Sequence, residues 1–200
     1  MNQAPIAIKE YSMAHNVLVP PARVPRGAPA DGDGIALGTG PVTVHLYIDF
    51  LCPFCRSFEE QNGEAIDELI DNGAITAIYH PLGFLDRLST TRYSTRAAAS
   101  SGCASDGGRF REYLYALYDN QPPEGSAGLS DEELVRLGLQ VGLEESFAGC
   151  VESGAYIEWA EYVTALAIAR GVSGTPSVYV DGVGVPASAG AIVAAALNRA

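Results

Sequence analysis

The chain has 200 residues, 48% of them apolar and 18% charged, a balance that places it among globular proteins and outside the disordered ones. Twelve basic against 24 acidic side chains give a formal charge of −12, and a surface this acidic repels polyphosphates, so nucleic-acid binding is disfavoured. No run of about 18 apolar residues occurs, so no membrane-spanning helix is predicted, and the length fits one domain or one domain with an insertion.

Residues 1–40 read as an N-terminal extension and linker. A short strand is predicted near Asn16–Val19, after which PPARVPRGAPADGDGIALGTG (20–40) is dense in Pro, Gly and Asp and lacks apolar periodicity. The glycines of GDGIALG (32–38) do not match a dinucleotide-binding fingerprint, so no flavin or nicotinamide is expected. The opening MNQAPIAIKE holds no basic region followed by an apolar stretch, so no export signal is visible there.

From Pro41 the pattern changes: VTVHLYIDF has the near-continuous β-branched and aromatic character of a central strand covered on both faces. A helix is predicted from Pro53 to Asp71 with Gly73 as its C-cap, and Asn62-Gly63 marks a point where it can kink. ITAIYH (75–80) is the next strand, and a full helical crossover makes the pair parallel. From Arg87 to Arg170 only helices are predicted. They cover 89–104, then an amphipathic RFREYLYALYDN stretch with Phe110, Tyr113, Leu114 and Leu117 on one face, then a helix from the capping box Ser130–Glu133 to about Leu139, and one or two more within 144–170. SVYV (177–180), a turn at Asp181-Gly182, VGVP and a helix over 187–198 complete the chain. The class is α/β: a β-α-β start and a β-β-α finish (41–86 and 171–200) around a helical insertion (87–170).

Four cysteines, at 52, 55, 103 and 150, allow three disulfide pairings. Cys52-Pro53-Phe54-Cys55 comes directly off a buried strand and opens a helix. Unpaired N–H groups at a helix N-terminus stabilise an anion, so the Cys52 thiolate is favoured, and Pro53 there forfeits no hydrogen bond. Cys52 is then the exposed attacking thiol and Cys55, one turn inward, the resolving one; Arg56 adds a cation that Glu59 and Glu60 partly offset. A C-x-x-C is also half of many zinc sites, but Cys103 and Cys150 are single rather than a second close pair, so no metal is expected. A purely structural disulfide within C-x-x-C would be strained and easily reduced. One close pair plus one distant pair fits an oxidising compartment, with Cys103–Cys150 as a staple or, alternatively, as two buried free thiols.

Gly171-Val-Ser-Gly-Thr-Pro176 stands immediately before SVYV, where a proline fits the first residue of a strand. A cis Thr175–Pro176 bond would bring a backbone edge beside the C-x-x-C, where an extended substrate chain can pair; the plainer reading is a loop breaker. His45 and His80 read as satisfied strand histidines and Trp159 as core. Tyr113, Tyr115 and Tyr118 read as packing, with a substrate groove as the alternative.

This order of strand, CPFC at a helix start, strand, helical insertion, G-T-P before a hairpin and final helix resembles the DsbA-like branch of the thioredoxin superfamily, particularly its extracytoplasmic Gram-positive and actinobacterial members. The resemblance covers about residues 41–199 and implies a thioredoxin fold with an inserted helical domain. It assigns thiol exchange to Cys52, resolution of the mixed disulfide to Cys55, and substrate contact to Thr175 with Pro176. Asp49 matches an aspartate common in related sequences and is a candidate proton relay, or else a surface or capping group. Two positions depart from the family pattern. Leu46 stands where a buried glutamate often lies, and Phe54 replaces the histidine of C-P-H-C.

The expected function is therefore a protein disulfide oxidoreductase that oxidises substrate thiols through a Cys52–Cys55 disulfide, with no cofactor. Its expected partners are reduced or unfolded exported proteins and a quinone-linked membrane reoxidant, DsbB-like or vitamin K epoxide reductase-like. The expected location is extracytoplasmic, secreted or membrane-anchored, with the signal or anchor absent from this chain. The alternatives are a reductase or isomerase of the same fold and a non-catalytic binding module.

Overall fold

The computed structural model describes residues 18–197. Five strands form one sheet: β1 (Ile35–Leu37), β2 (Val42–Ile48), β3 (Ile75–Pro81), β4 (Ser177–Val180) and β5 (Val183–Val185). Their order is β1-β3-β2-β4-β5, with β2 and β3 parallel and every other pair antiparallel. Seven α-helices complete the chain: α1 (Pro53–Asp71), α2 (Tyr93–Asp106), α3 (Phe110–Asp119), α4 (Asp131–Gln140), α5 (Glu145–Glu152), α6 (Ile157–Ala169) and α7 (Ala189–Leu197). This is the β-α-β start and β-β-α finish of the thioredoxin fold. No helix among the described residues is long and apolar enough to cross a membrane.

The parallel pairing follows from α1, which carries the chain from the end of β2 back to the start of β3. Strand alternation then sorts the central sheet into two unlike faces. Val44, Leu46, Ile48, Ala77, Tyr79, Val178 and Val180 lie on one face and are buried. His45, Tyr47, Ile78, His80 and Tyr179 lie on the other.

Two departures from the sequence reading are instructive. The segment 20–40 contains β1, which the Gly- and Pro-rich composition hides because three residues are too few to show alternation. Ile35, Ala36 and Leu37 become a strand by pairing with Tyr79, Ile78 and Ala77 on the open edge of β3. Of the strand predicted near Asn16–Val19, Asn16 and Val17 lie outside the described residues, while Leu18 and Val19 are not in a strand. Asn62-Gly63 serves packing rather than interrupting α1. The Asn62 amide donates to the Phe58 carbonyl and its oxygen accepts from the Ala189 N–H, which docks the start of α7. A Cβ on Gly63 would sit 2.7 Å from the Tyr115 hydroxyl of α3.

The helical layer is built on α2, a run of Ala, Ser, Gly and Cys buried from Tyr93 to Ser105 almost without interruption. Small side chains let α3, α5 and α6 approach it, and α6 also packs on β3. Ser130 accepts from the Glu133 N–H at 3.2 Å and Glu133 accepts from the Ser130 N–H at 2.7 Å, a reciprocal cap that opens α4. A disulfide joins Cys103 of α2 to Cys150 of α5, 47 positions apart. Replacing both by serine is expected to lower stability by about 4 kcal/mol, the loop-closure entropy released to the unfolded chain. Urea unfolding of the double variant with Cys52 and Cys55 kept reduced measures this, and a change under about 1 kcal/mol would refute the staple.

Candidate active site

Between the end of β2 and the start of α1 lie four residues that neither sheet nor helix provides for. Asp49 and Phe50 are 0% exposed, Leu51 1% and Cys52 4%. Buried backbone must be paired, and most of the partners come from elsewhere in the chain. The Cys52 N–H donates to the Asp49 carbonyl at 3.0 Å, and the Asp49 carboxylate accepts from the Leu51 N–H at 2.8 Å and the Leu85 N–H at 2.9 Å. The Tyr118 hydroxyl donates to the Asp49 carbonyl at 3.4 Å. The Gln121 side-chain amide donates to the Phe50 carbonyl at 2.9 Å and the Cys52 carbonyl at 3.0 Å.

This frame sets Cys52 at the N-cap of α1, with Pro53 in the first turn. Cys52 and Cys55 are both free thiols and both buried, so Cys52 is not the exposed thiol that the motif alone suggests. The Cys52 carbonyl accepts from the N–H groups of Cys55 and Arg56, and the Cys52 thiol donates to the Thr175 carbonyl at 3.3 Å. The Thr175–Pro176 bond is cis. Phe54 projects into solvent, 74% exposed.

The two thiols sit in opposite electrostatic settings. A hydrogen bond from Cys55, with further support from Thr175 and the N–H groups of Cys55 and Phe54, draws the Cys52 thiol down to about 6. Burial pushes the Cys55 thiol well above its ordinary value, and the bond to Cys52 pushes the same way. Burial also raises the Asp49 carboxyl to about 7, against the hydrogen bonds it accepts, and a charged Cys52 raises it further. Asp49 is thus a buried acceptor of two backbone N–H bonds, close enough to feel the charge of Cys52.

Of Arg56, Glu59 and Glu60, only Glu59 departs from the sequence reading. Arg56 pairs with Glu60 at 2.7 Å on the surface. Glu59 is no surface charge: it is 3% exposed, with Arg111 of α3 at 3.7 Å, and burial raises its carboxyl to about 7. Cys103 and Cys150 lie in the helical layer, apart from Cys52 and Cys55. Gln121 and Tyr118 were not singled out for this site, and their signal is faint: each stands near the end of α3, where sequence shows only that the helix stops before Pro122.

Gln121→Leu leaves the buried Phe50 carbonyl without its donor and is expected to cost about 1–3 kcal/mol. Asn120→Leu, on the exposed side of the same turn, is expected to stay within about 0.5 kcal/mol. Urea unfolding of the two variants side by side measures the difference, and equal losses would remove Gln121 from the frame.

The family model described as "Thioredoxin" matches residues 32–197. DsbA from Mycobacterium tuberculosis is 34% identical in its oxidised crystal structure, which covers 83% of this chain and 92% of that one with a TM-score of 0.74. Its reduced structure gives 35% identity, coverage of 81% and 87%, and a TM-score of 0.71. The thiol-disulfide oxidoreductase MdbA from Corynebacterium diphtheriae shares the fold at 22% identity, covering 81% of this chain and 89% of that one, with a TM-score of 0.71. Among curated proteins, the serine/threonine-protein kinase PknE of Mycobacterium tuberculosis is 35% identical over 132 residues, 62% of this chain. The chain spans only 23% of that relative's length. A family model matched over most of its length, and a DsbA a third identical over nearly all of that protein, establish that this chain belongs to the DsbA-like thiol-disulfide oxidoreductases of the thioredoxin superfamily.

Proposed function

We propose that the chain oxidises protein thiols, with Cys52 as the exchanging group and Cys55 as the resolving one. A substrate thiolate attacks the Cys52 sulfur of the oxidised pair, forming a mixed disulfide and releasing Cys55. A second substrate thiolate then attacks the substrate's own sulfur, closing the substrate disulfide and expelling Cys52 as the thiolate. Two electrons pass to the enzyme, which leaves the cycle reduced. The observation that carries this reading is the split between the two thiols. A thiol held near 6 is a good leaving group and favours the reduced enzyme, which makes the disulfide a strong oxidant.

Cys55, pushed up by burial, needs a proton as it leaves. Asp49, raised to about 7, can hold one at neutral pH, and we assign it the proton relay. Thr175 and Pro176 take the substrate's backbone, supported by the position of the Thr175 carbonyl against the Cys52 thiol. Pro53 and exposed Phe54 complete the contact surface of the motif. The substrates in this proposal are reduced or unfolded exported proteins, and the location is extracytoplasmic. Regeneration requires an oxidant of the reduced pair, and a quinone-linked membrane protein, DsbB-like or vitamin K epoxide reductase-like, is the class proposed.

Direction is tested by the reduction potential of Cys52–Cys55, equilibrated against defined glutathione mixtures while mass spectrometry tracks Cys103 and Cys150. A value near about −120 mV supports oxidation, whereas one near about −270 mV assigns a reductant. Cys52→Ser is expected to abolish exchange, and Cys55→Ser to trap mixed disulfides. The pH dependence carries a sign. The folded Cys52 value lies below the ordinary 9.0, so its contribution to the reduced protein's stability is complete above 9 and is lost as pH falls through about 6. The stability of the reduced protein relative to the oxidised one is therefore expected to grow from pH 6 to 9, as measured by urea unfolding of both forms; a gap that shrinks over this range contradicts the assignment.

A further inference from the structure

The second face of the sheet carries a buried polar chain that disulfide exchange does not use. Asp33 is 3% exposed and His80 is 0% exposed. An Asp33 carboxylate oxygen lies 3.0 Å from His80 Nδ1, and His80 Nε2 lies 2.9 Å from His45 Nδ1. The second Asp33 oxygen takes Arg170, whose other nitrogen faces Asp31 at 3.6 Å. Gly34 makes this approach possible: at φ +89° it brings the chain so close to β3 that a Cβ would lie 2.5 Å from the Tyr79 carbonyl.

With one proton on each ring, the carboxylate fixes both tautomers. His80 Nδ1–H donates to Asp33, so His80 Nε2 accepts from His45 Nδ1–H. His45 Nε2 is left as a free acceptor, and among the described residues no protein group hydrogen-bonds it. Burial pushes the His45 imidazole down, which keeps that nitrogen unprotonated. His45 lines a cavity of about 370 Å³, within the size range of small-molecule sites.

The walls define what fits. Pro29, Ile78 and Val172 are apolar, and Tyr47 and Tyr179 present aromatic rings. Tyr47 stacks on His80 with centroids 4.2 Å apart, and Tyr179 meets Tyr47 edge-on at 5.7 Å. Arg170 is the one cation of the lining and is already shared by Asp31 and Asp33, so no free positive charge awaits an anion. The described residues hold no cluster of metal-ligating side chains. Asp31 and Asp33 also line the cavity and are engaged by Arg170, and a neutral ring that stacks and donates a single hydrogen bond answers the aromatic walls and the free His45 nitrogen.

We propose that this cavity binds a neutral aromatic hydroxyl compound, of the phenol class, whose O–H donates to His45 Nε2 while its ring packs among Tyr47, Tyr179 and Val172. The phenol can be a free small molecule or the side chain of a tyrosine.

The test is calorimetric titration of the full chain with 4-ethylphenol, 4-ethylanisole and N-acetyl-tyrosinamide. The expected 4-ethylphenol dissociation constant is of order 1 mM. Methylating the hydroxyl removes the donor, so 4-ethylanisole is expected to bind at least about tenfold more weakly, as a buried acceptor left unpaired requires. N-acetyl-tyrosinamide binding as tightly as 4-ethylphenol assigns the site to tyrosine side chains, and much weaker binding assigns it to free phenols. His45→Phe keeps a ring and loses the acceptor, and is expected to lose about tenfold in 4-ethylphenol affinity with the Cys52 alkylation rate unchanged. Equal binding of phenol and anisole, or no heat with either up to about 20 mM, overturns the proposal. The ligand comparison needs only the unaltered protein, so it decides the matter even where His45→Phe does not fold.

Discussion

The four-residue bridge from Asp49 to Cys52 is the constraint on which the site depends. It must be buried, because it leaves the most interior strand and enters a helix whose N-terminus carries Cys52. It must also be irregular, because a continued strand would carry Cys52 past the helix start. Buried irregular backbone is tolerable only when every N–H and C=O finds a partner. Here the partners come from the Asp49 side chain, from Leu85 after β3, and from Tyr118 and Gln121 at the end of α3. The helical layer is thus structurally part of the site, because three of the four residues' carbonyls take their side-chain donor from Tyr118 or Gln121.

Burial of acids is the second theme. Asp49, Glu59 and Asp33 are each at most 3% exposed, in a protein whose net charge already disfavours more negative charge inside. Each is accommodated differently. Asp33 is paired with Arg170 and His80 and is held below the ordinary carboxylate range. Glu59 has Arg111 nearby, yet burial dominates and raises it. Asp49 accepts from the Leu51 and Leu85 N–H groups, and burial raises it as well. Removing one partner of a buried charge is more damaging than replacing the pair by apolar groups. Asp49 stands beside Cys52, and Asp33 stands at the far end of the His80–His45 chain.

Much of this was legible in the sequence, for identifiable reasons. VTVHLYI and ITAIYH carry enough β-branched residues to show as strands, the Ser130–Glu133 spacing is itself the cap, and CPFC at a strand-to-helix junction locates the thiols without further help. Other features were not legible, because they arise from long-range contacts. β1 exists only because β3 offers an unpaired edge. Glu59 looks like one charge among several on α1 until Arg111, 52 positions away, turns that face inward. Gln121 follows a helix end like many polar residues, and only the folded chain brings it under Phe50 and Cys52. Periodicity reports which face of an element is apolar, but not which polar group the fold will bury against it.

The proximity of Asp49 to Cys52 then bears on how the proposed exchange handles its proton. Each group in its charged form opposes ionisation of the other, and the thiol ionises lower, near 6 against about 7. Between about pH 6 and 7 the reduced site therefore favours one negative charge, on sulfur, with a proton on the carboxyl. When the pair is oxidised the thiolate is gone, and Asp49 loses the repulsion that helped to hold its proton. The carboxyl therefore releases its proton more readily in the oxidised enzyme and takes one up more readily in the reduced enzyme. Such a group follows the redox state: while Cys52 is held in a disulfide the carboxyl ionises more readily, and it can then take the proton that the high-lying Cys55 thiol must lose before it attacks.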